Sequence, residues 1–399
     1  MLALLAFAFV LPLFEAPKNL FWFIYAGLWT ANRWRARDFG GPTDKWDALI
    51  LAWIASGFAS AAFAGLHDGE WTAALDILRY GSVLWFLKRS GYDERVLSRL
   101  LACTVSGTLA ALAWGYYGLR VTGREYLELN SVGHVNHSAI YLAITFGAAL
   151  AWLRATWRLH GVAKRVAGSA LCLVFALSMI EMQSRATVAV GFVFGSIIIG
   201  VYSLRTRKSV WTVVLASVVI GTLLFATESE VVRKNSVRLT QEIFLAPRDA
   251  IWRAGLDALR RYPLFGVGTG NYGRIDFAHL EEWSRARGEP FEKARVMPTS
   301  HGHSLYVNTL AERGIAGFAV LLTVLAAWGW TLVRSPPAAD DSAVRWSYWG
   351  GGLAAWLVAA LVGIVNTTLH HEHAIVSMLL LGGWLALRSS PKLPRTARD

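Results

Sequence analysis

Residues 303–333 read HSLYVNTLAERGIAGFAVLLTVLAAWGWTLV. After Arg313 the stretch carries no charge until Arg334, and an apolar run of this kind approaches the roughly 20 residues that an α-helix needs to cross a bilayer. Its first turns differ: His303 opens the run HSLYVNTLAERGIAG and Glu312 and Gly314 follow, at one end of an otherwise apolar helix. Polar groups are costly in hydrocarbon, so they mark the end of the helix at which chemistry is to be sought.

Working outward, similar runs recur along most of the chain. About twelve candidate membrane helices result, at 2–14, 18–32, 46–65, 71–87, 97–119, 136–153, 166–182, 186–203, 209–226, 303–333, 346–366 and 373–387. The composition agrees: 55% of the 399 residues are hydrophobic and only 17% are charged, against about 25% in a soluble domain. That balance excludes a disordered chain, a coiled coil and an ordinary cytosolic enzyme. Residues 1–14 carry no basic n-region and read as a short membrane helix rather than a cleaved signal. The expected fold class is all-α: a polytopic membrane protein.

The formal net charge of +12 reports topology, not a nucleic-acid partner. More than half of the 39 basic residues fall in clusters at every second loop, from Arg33, Arg35 and Arg37 to Arg388, Lys392, Arg395 and Arg398. The intervening short loops hold only Lys18, Arg120, Arg124 and Arg185. Basic loops stay on the cytoplasmic side, which places both termini inside. Cys103 and Cys172 both lie in apolar runs, so a disulfide framework and a thiolate zinc site are excluded.

Three parts follow: helices one to nine over 1–226, an extramembrane loop over 227–302, and helices ten to twelve with a tail over 303–399. The parity of the helix count puts the loop outside. Within it PRDAIWRAGLDALRRY, residues 247–262, reads as an amphipathic helix with Ile251, Trp252, Leu256 and Leu259 on one face. Pro263 ends it, and GVGTGNY follows at 266–272. A dinucleotide fingerprint needs a strand before it, and here a helix and a proline precede, which leaves a glycine turn whose N–H groups approach a phosphate.

Most histidines fall at the expected outer boundary. In Ser300-His301-Gly302-His303-Ser304, a capping Ser300 or His301 beside a satisfied interfacial His303 competes with a catalytic His303. His301 and His303 share no helical face, so a metal site requires His301 to precede the helix. His370-His371-Glu372-His373 reads as a short polar turn at headgroup level, with a divalent-metal site as the sharper alternative, and His134 and His137 open the sixth helix on the same side. Among the arginines, Arg185 suits either a phosphate clamp or an i, i+4 pair with Glu181. Arg248 opens the amphipathic helix, Arg120 and Arg124 lie in the third outer loop, and Asp76 with Arg79 reads as a buried structural pair. Arginine forks suit phosphate oxygens, and histidine suits proton abstraction near neutral pH.

HGHSLYVNTLAERGIAG, residues 301–317, resembles the H-x-H-x8-E-x-G-x-x-G signature of the bacterial O-antigen ligase and polymerase superfamily. SRA at 184–186, the R-x-x-x-W element at 248–252 and YPLFGVGTGNY at 262–272 are similar to further family elements in the same order, and the helix layout matches along nearly the whole chain. The resemblance implies a GT-C-like glycosyltransferase of the bacterial inner membrane, with a metal-independent site facing the periplasm and no cofactor. It implies a glycan donor on undecaprenyl pyrophosphate and, for ligases, the lipid A core as acceptor, in a setting of membrane lipid and no nucleic acid. The family's functional histidine and arginines match His303, Arg185 and Arg248 here. Many members have asparagine where this chain has Ser304.

The expected reaction is inverting, with His303 as general base and Arg185 and Arg248 on the pyrophosphate. His301, Arg120 and Arg124 are further candidates for substrate binding. A polymerase or a protein O-oligosaccharyltransferase uses the same chemistry on another acceptor. A secondary transporter of an anionic solute is the rival from a different class, against which stand the lack of an inverted repeat and the large outer insertion.

Overall fold

The computed structural model describes residues 1–206 and 246–389. Among these the secondary structure is helical throughout: α1 Leu2–Val10, α2 Glu15–Ala36, α3 Lys45–Ala62, α4 Glu70–Lys88, α5 Glu94–Arg120, α6 Val135–Thr156, α7 Val162–Glu181, α8 Arg185–Arg205, α9 Ala246–Arg261, α10 Phe277–Ala286, α11 Leu305–Arg334, α12 Ala343–Leu361 and α13 His371–Ser389. Every expected span on described residues coincides with a helix, and 6 helices are long and apolar enough to cross a membrane. The expected ninth span at 209–226 lies outside the described residues.

The bundle is built around α6, α12 and α13, and α13 is buried from Glu372 to Leu387. Small residues let these helices approach: a Cβ on Gly147 would lie 2.3 Å from the Ala354 Cβ, and one on Gly350 only 2.4 Å from the Ala151 Cβ. Lipid tails are as apolar as leucine, so such backbone contact, not hydrophobicity, is what selects the helix pairs. Lys18, expected in a loop, instead sits within α2, where its ammonium bonds Glu15 and Glu372 and its side chain is 3% exposed. Burial in the bundle demands that pairing.

Helix α11 is broken at Gly314, whose φ of 61° and ψ of −165° only glycine adopts readily. A break frees backbone groups that must find other partners. Here the segment after α9 supplies them. Val267 N donates to Ala311 O at 2.9 Å and Gly268 N to Glu312 O at 3.0 Å, while Ile315 N donates to Pro263 O at 2.9 Å and Ala316 N to Leu264 O at 3.2 Å. The glycine turn is therefore a backbone plug for a broken helix. Its N–H groups at 267 and 268 are spent on α11, and Tyr272 N donates to the Glu312 carboxylate at 3.3 Å, which corrects the phosphate-cradle reading.

Residues 246–304 gather round a small apolar core that includes Ile251, Val267, Tyr272, Leu280 and Trp283. The amphipathic helix forms where expected, with Ile251 buried and Trp252 packed against the same core, but the buried face runs on through Ala254 and Ala258 and leaves Leu256 exposed. The reason is close approach. A Cβ on Gly255 would lie 2.9 Å from Val307 and 3.0 Å from the Tyr272 ring, so only small residues fit against α11.

Gly314→Ala should lower stability by about 3 kcal/mol, since it combines forbidden backbone geometry with a Cβ 2.4 Å from the Leu264 carbonyl. Gly288→Ala, with φ of 71° but open space around it, should cost about 1 kcal/mol. Thermal unfolding of the purified variants in detergent checks the difference, and equal midpoints would show that the break carries no constraint.

Candidate active site

One end of the bundle collects the starts of α4, α6, α11 and α13, and with them the histidines. His137, in the first turn of α6, stands at the centre, with ring centroids 4.7 Å from His370, 5.2 Å from His373, 5.6 Å from His134 and 6.2 Å from His301. His301 lies 4.2 Å from His303. Seven histidines from three chain segments thus meet, counting His371 at 4.2 Å from His370. The 370–373 stretch is not a solvated turn: His373 is 1% exposed and Glu372 is held by Lys18. Packing of α13 in the bundle centre draws it inward.

His303 itself sits in left-handed geometry with φ of 44°. Residues around it fix that conformation. Ser304, not Ser300 or His301, caps α11, accepting from Val307 N at 3.4 Å and donating to Gly363 O at 3.3 Å. Gly302 N donates to Asn308 Oδ1 at 2.9 Å, and Leu305 N to Asn366 O at 3.0 Å. His301 precedes the helix and its Nδ1 lies 2.9 Å from Ser300 Oγ. Gln183, Leu369 and His371 share the left-handed conformation of His303, so four of the five non-glycine residues with positive φ flank this end of the bundle or the turn before Arg185. Such strain persists only where surrounding contacts over-determine it.

The ring of His303 makes no hydrogen bond among the described residues and is half-buried. Burial first, then the positive charge of Arg248 and the neighbouring His134, hold it below the ordinary histidine value. His301 is pulled down to about 4, again by burial first and then by the adjacent histidines. Both imidazoles are therefore neutral at pH 7, the form that accepts a proton. Among the described residues no group of three or more His, Cys, Asp or Glu side chains is arranged to hold a metal ion.

The arginines divide into two sets. Arg248 belongs with His303 through the electrostatic coupling just described. Arg185 opens α8, is exposed, and has no ion-pair partner among the described residues. Glu181 instead accepts from Arg120 Nη2 at 2.9 Å and from Tyr116 Oη at 2.8 Å, which removes the Arg185–Glu181 pair. Arg124 reaches Asn130 Oδ1 at 3.5 Å and packs over Gly118. No hydrogen bond or ion pair among the described residues joins Arg185, Arg120 or Arg124 to the histidines. Asp76 and Arg79 do pair, at 2.8 Å.

Beside His301 lies a cavity of about 460 Å³ walled by α3, α4, α11 and the 367–371 turn. Trp53, Asp76, Tyr80 and Thr367 line it, and none of them stood out as a site residue in the sequence. Single aromatic and hydroxyl side chains inside apolar helices leave no periodic signature, whereas His137 was at least visible as the start of a helix.

A helical bundle with helices able to cross a bilayer and a histidine-lined polar end defines a multi-pass membrane protein. Residues 170–322 match the family model described as O-Antigen ligase, so this segment is similar to members of that family. The matched segment contains Arg185, Arg248, His301 and His303 and ends before the last turns of α11; Arg120 and Arg124 precede it. A search of curated proteins found no match to the chain.

In protein carrying carbon-13-labelled histidine, the His303 signal, assigned by its loss in His303→Gln, should titrate with a midpoint below 6.5. Arg248→Gln removes a positive charge that disfavours the imidazolium, so it should move that midpoint upward. A midpoint at or above 6.5 in the unaltered protein, or no shift in the variant, contradicts the coupling of the two side chains.

Proposed function

We propose that this protein is an O-antigen ligase of the bacterial inner membrane, moving a glycan from undecaprenyl pyrophosphate to the lipid A core on the periplasmic side. The observation that carries the reading is His303: a neutral, unbonded imidazole held in strained geometry beside Arg248, within the segment that matches the family. The acceptor hydroxyl oxygen attacks the anomeric carbon of the donor from the face opposite the pyrophosphate. The new glycosidic bond forms as the bond to the phosphate oxygen breaks, inverting the centre. The hydroxyl proton passes to His303, and undecaprenyl pyrophosphate departs with the electron pair. The imidazolium then returns its proton to water.

Arg185 and Arg248 meet the charge that grows on the departing pyrophosphate; their forked donors suit two oxygens at once. The exposure of Arg185, with Glu181 already satisfied by Arg120 and Tyr116, supports that role. Arg120 and Arg124 are further candidates for contact with the donor in this reading. Departure of the pyrophosphate drives transfer, so no nucleotide is consumed. The reaction needs no metal in this reading.

Purified protein in detergent with EDTA, given an undecaprenyl-pyrophosphate-linked glycan and a lipid A–core acceptor, should yield the joined product on a gel. Longer glycan still on the lipid carrier would make the protein a polymerase. His303→Ala should lower transfer by about 10²–10⁴-fold with donor binding retained, and turnover at the unaltered rate would remove His303 as base. His301→Ala should be milder. Arg185→Lys should lose more than charge alone explains, because an ammonium cannot make the forked contact. Unaltered rates in that variant would remove Arg185 from the site.

A further inference from the structure

We propose that the cavity beside His301 is the subsite for a neutral sugar ring of the acceptor, with Asp76 as the side chain that selects it. This rests on the glycosyl-transfer reading above. The charges on the wall favour it: the cavity is lined by two carboxylates, Asp76 and Glu312, and one guanidinium, Arg313. Nη2 of that guanidinium donates to Ser56 Oγ and the Trp53 carbonyl. With Asp76 paired to Arg79 and Glu312 beside Arg313, the wall offers a pyrophosphate no surplus positive charge, so the donor's phosphates belong on the Arg248 side of His303. A neutral polyol meets what it needs.

The side chain of Asp76 is 40% exposed although α4 carries it into the bundle, and Oδ1 takes one hydrogen bond from Arg79 at 2.8 Å. A carboxylate accepts up to about four hydrogen bonds, so capacity remains for sugar hydroxyls. Trp53 and Tyr80 add aromatic surface to the wall. Tyr80 is held by His371 N, which donates to its Oη at 2.7 Å.

Position assigns the ring to the acceptor. His301 lines the cavity, and its ring lies 4.2 Å from that of His303, so a sugar seated here presents a hydroxyl to the proposed base. Asp76 touches the ring and not the reacting atoms. It is a specificity-determining residue.

The test uses the full-length protein in detergent and two readouts. Saturation-transfer NMR with methyl glycosides of a hexose, a heptose and an N-acetylhexosamine should show binding of at least one. Asp76→Asn should weaken it about tenfold and Asp76→Glu should restore part of it, since a lost charged hydrogen bond is worth about a factor of ten or more. In the transfer assay Asp76→Asn should raise the acceptor KM about tenfold while kcat and the donor KM change by less than about twofold, a split that general destabilisation would not produce. Binding of no glycoside by the unaltered protein, an unchanged acceptor KM, or a shift confined to the donor KM each overturns the proposal. Asp76-dependent glycoside binding by a protein that transfers nothing sinks the transfer reading and keeps the sugar subsite. Transfer that ignores Asp76 does the reverse.

Discussion

The break in α11 at Gly314 is the constraint on which the site depends. A continuous helix would keep its hydrogen bonds to itself and leave residues 263–268 nothing to hold. Broken, it offers two carbonyls and two N–H groups, and the segment after α9 takes all four. That knitting fixes the small helical layer on the bundle and sets Glu312 against the Tyr272 N–H. It also anchors α11 just beyond the turn in which Ser304 caps the helix and His303 is held at positive φ. Strain at His303 is affordable because the backbone on either side of it has no freedom to relax.

A second constraint comes from the far end of the chain. Glu372 is buried in α13 and bonded to Lys18 of α2, and Ser131, before α6, reaches the same carboxylate at 3.1 Å. Removing one member of such a group leaves an uncompensated charge in a low dielectric. The trio therefore pins three distant segments together, and the 369–371 turn with its two left-handed residues rests on it. The histidines that line the cavity are delivered by that turn, by α6 and by the segment before α11, not by a contiguous motif.

Much of the architecture was legible because bilayers impose it. Apolar length alone marked the helices, and Pro247 and Pro263 bounded α9 to within a residue or two. The buried face of α9 was misjudged because hydrophobicity ranks Leu256 above Ala254, whereas packing against α11 rewards small residues. His301, His303 and Arg248 were legible from residue type and position. The convergence on His137, the Lys18–Glu372 pair and the acidic cavity were not, since each joins segments more than a hundred residues apart. The phosphate reading of the glycine turn failed for a different reason: the sequence displays N–H groups without showing that a broken helix claims them.

In the proposed reaction the site divides in two, with phosphate on the arginine side of His303 and sugar on the carboxylate side. A structure determined with undecaprenyl pyrophosphate bound, in a lipid nanodisc, tests that division most directly. The phosphates should lie within hydrogen-bond distance of Arg248 and Arg185, leaving the Asp76–Glu312 cavity free of them. Phosphate density inside that cavity, or a pyrophosphate that touches neither arginine, would contradict it.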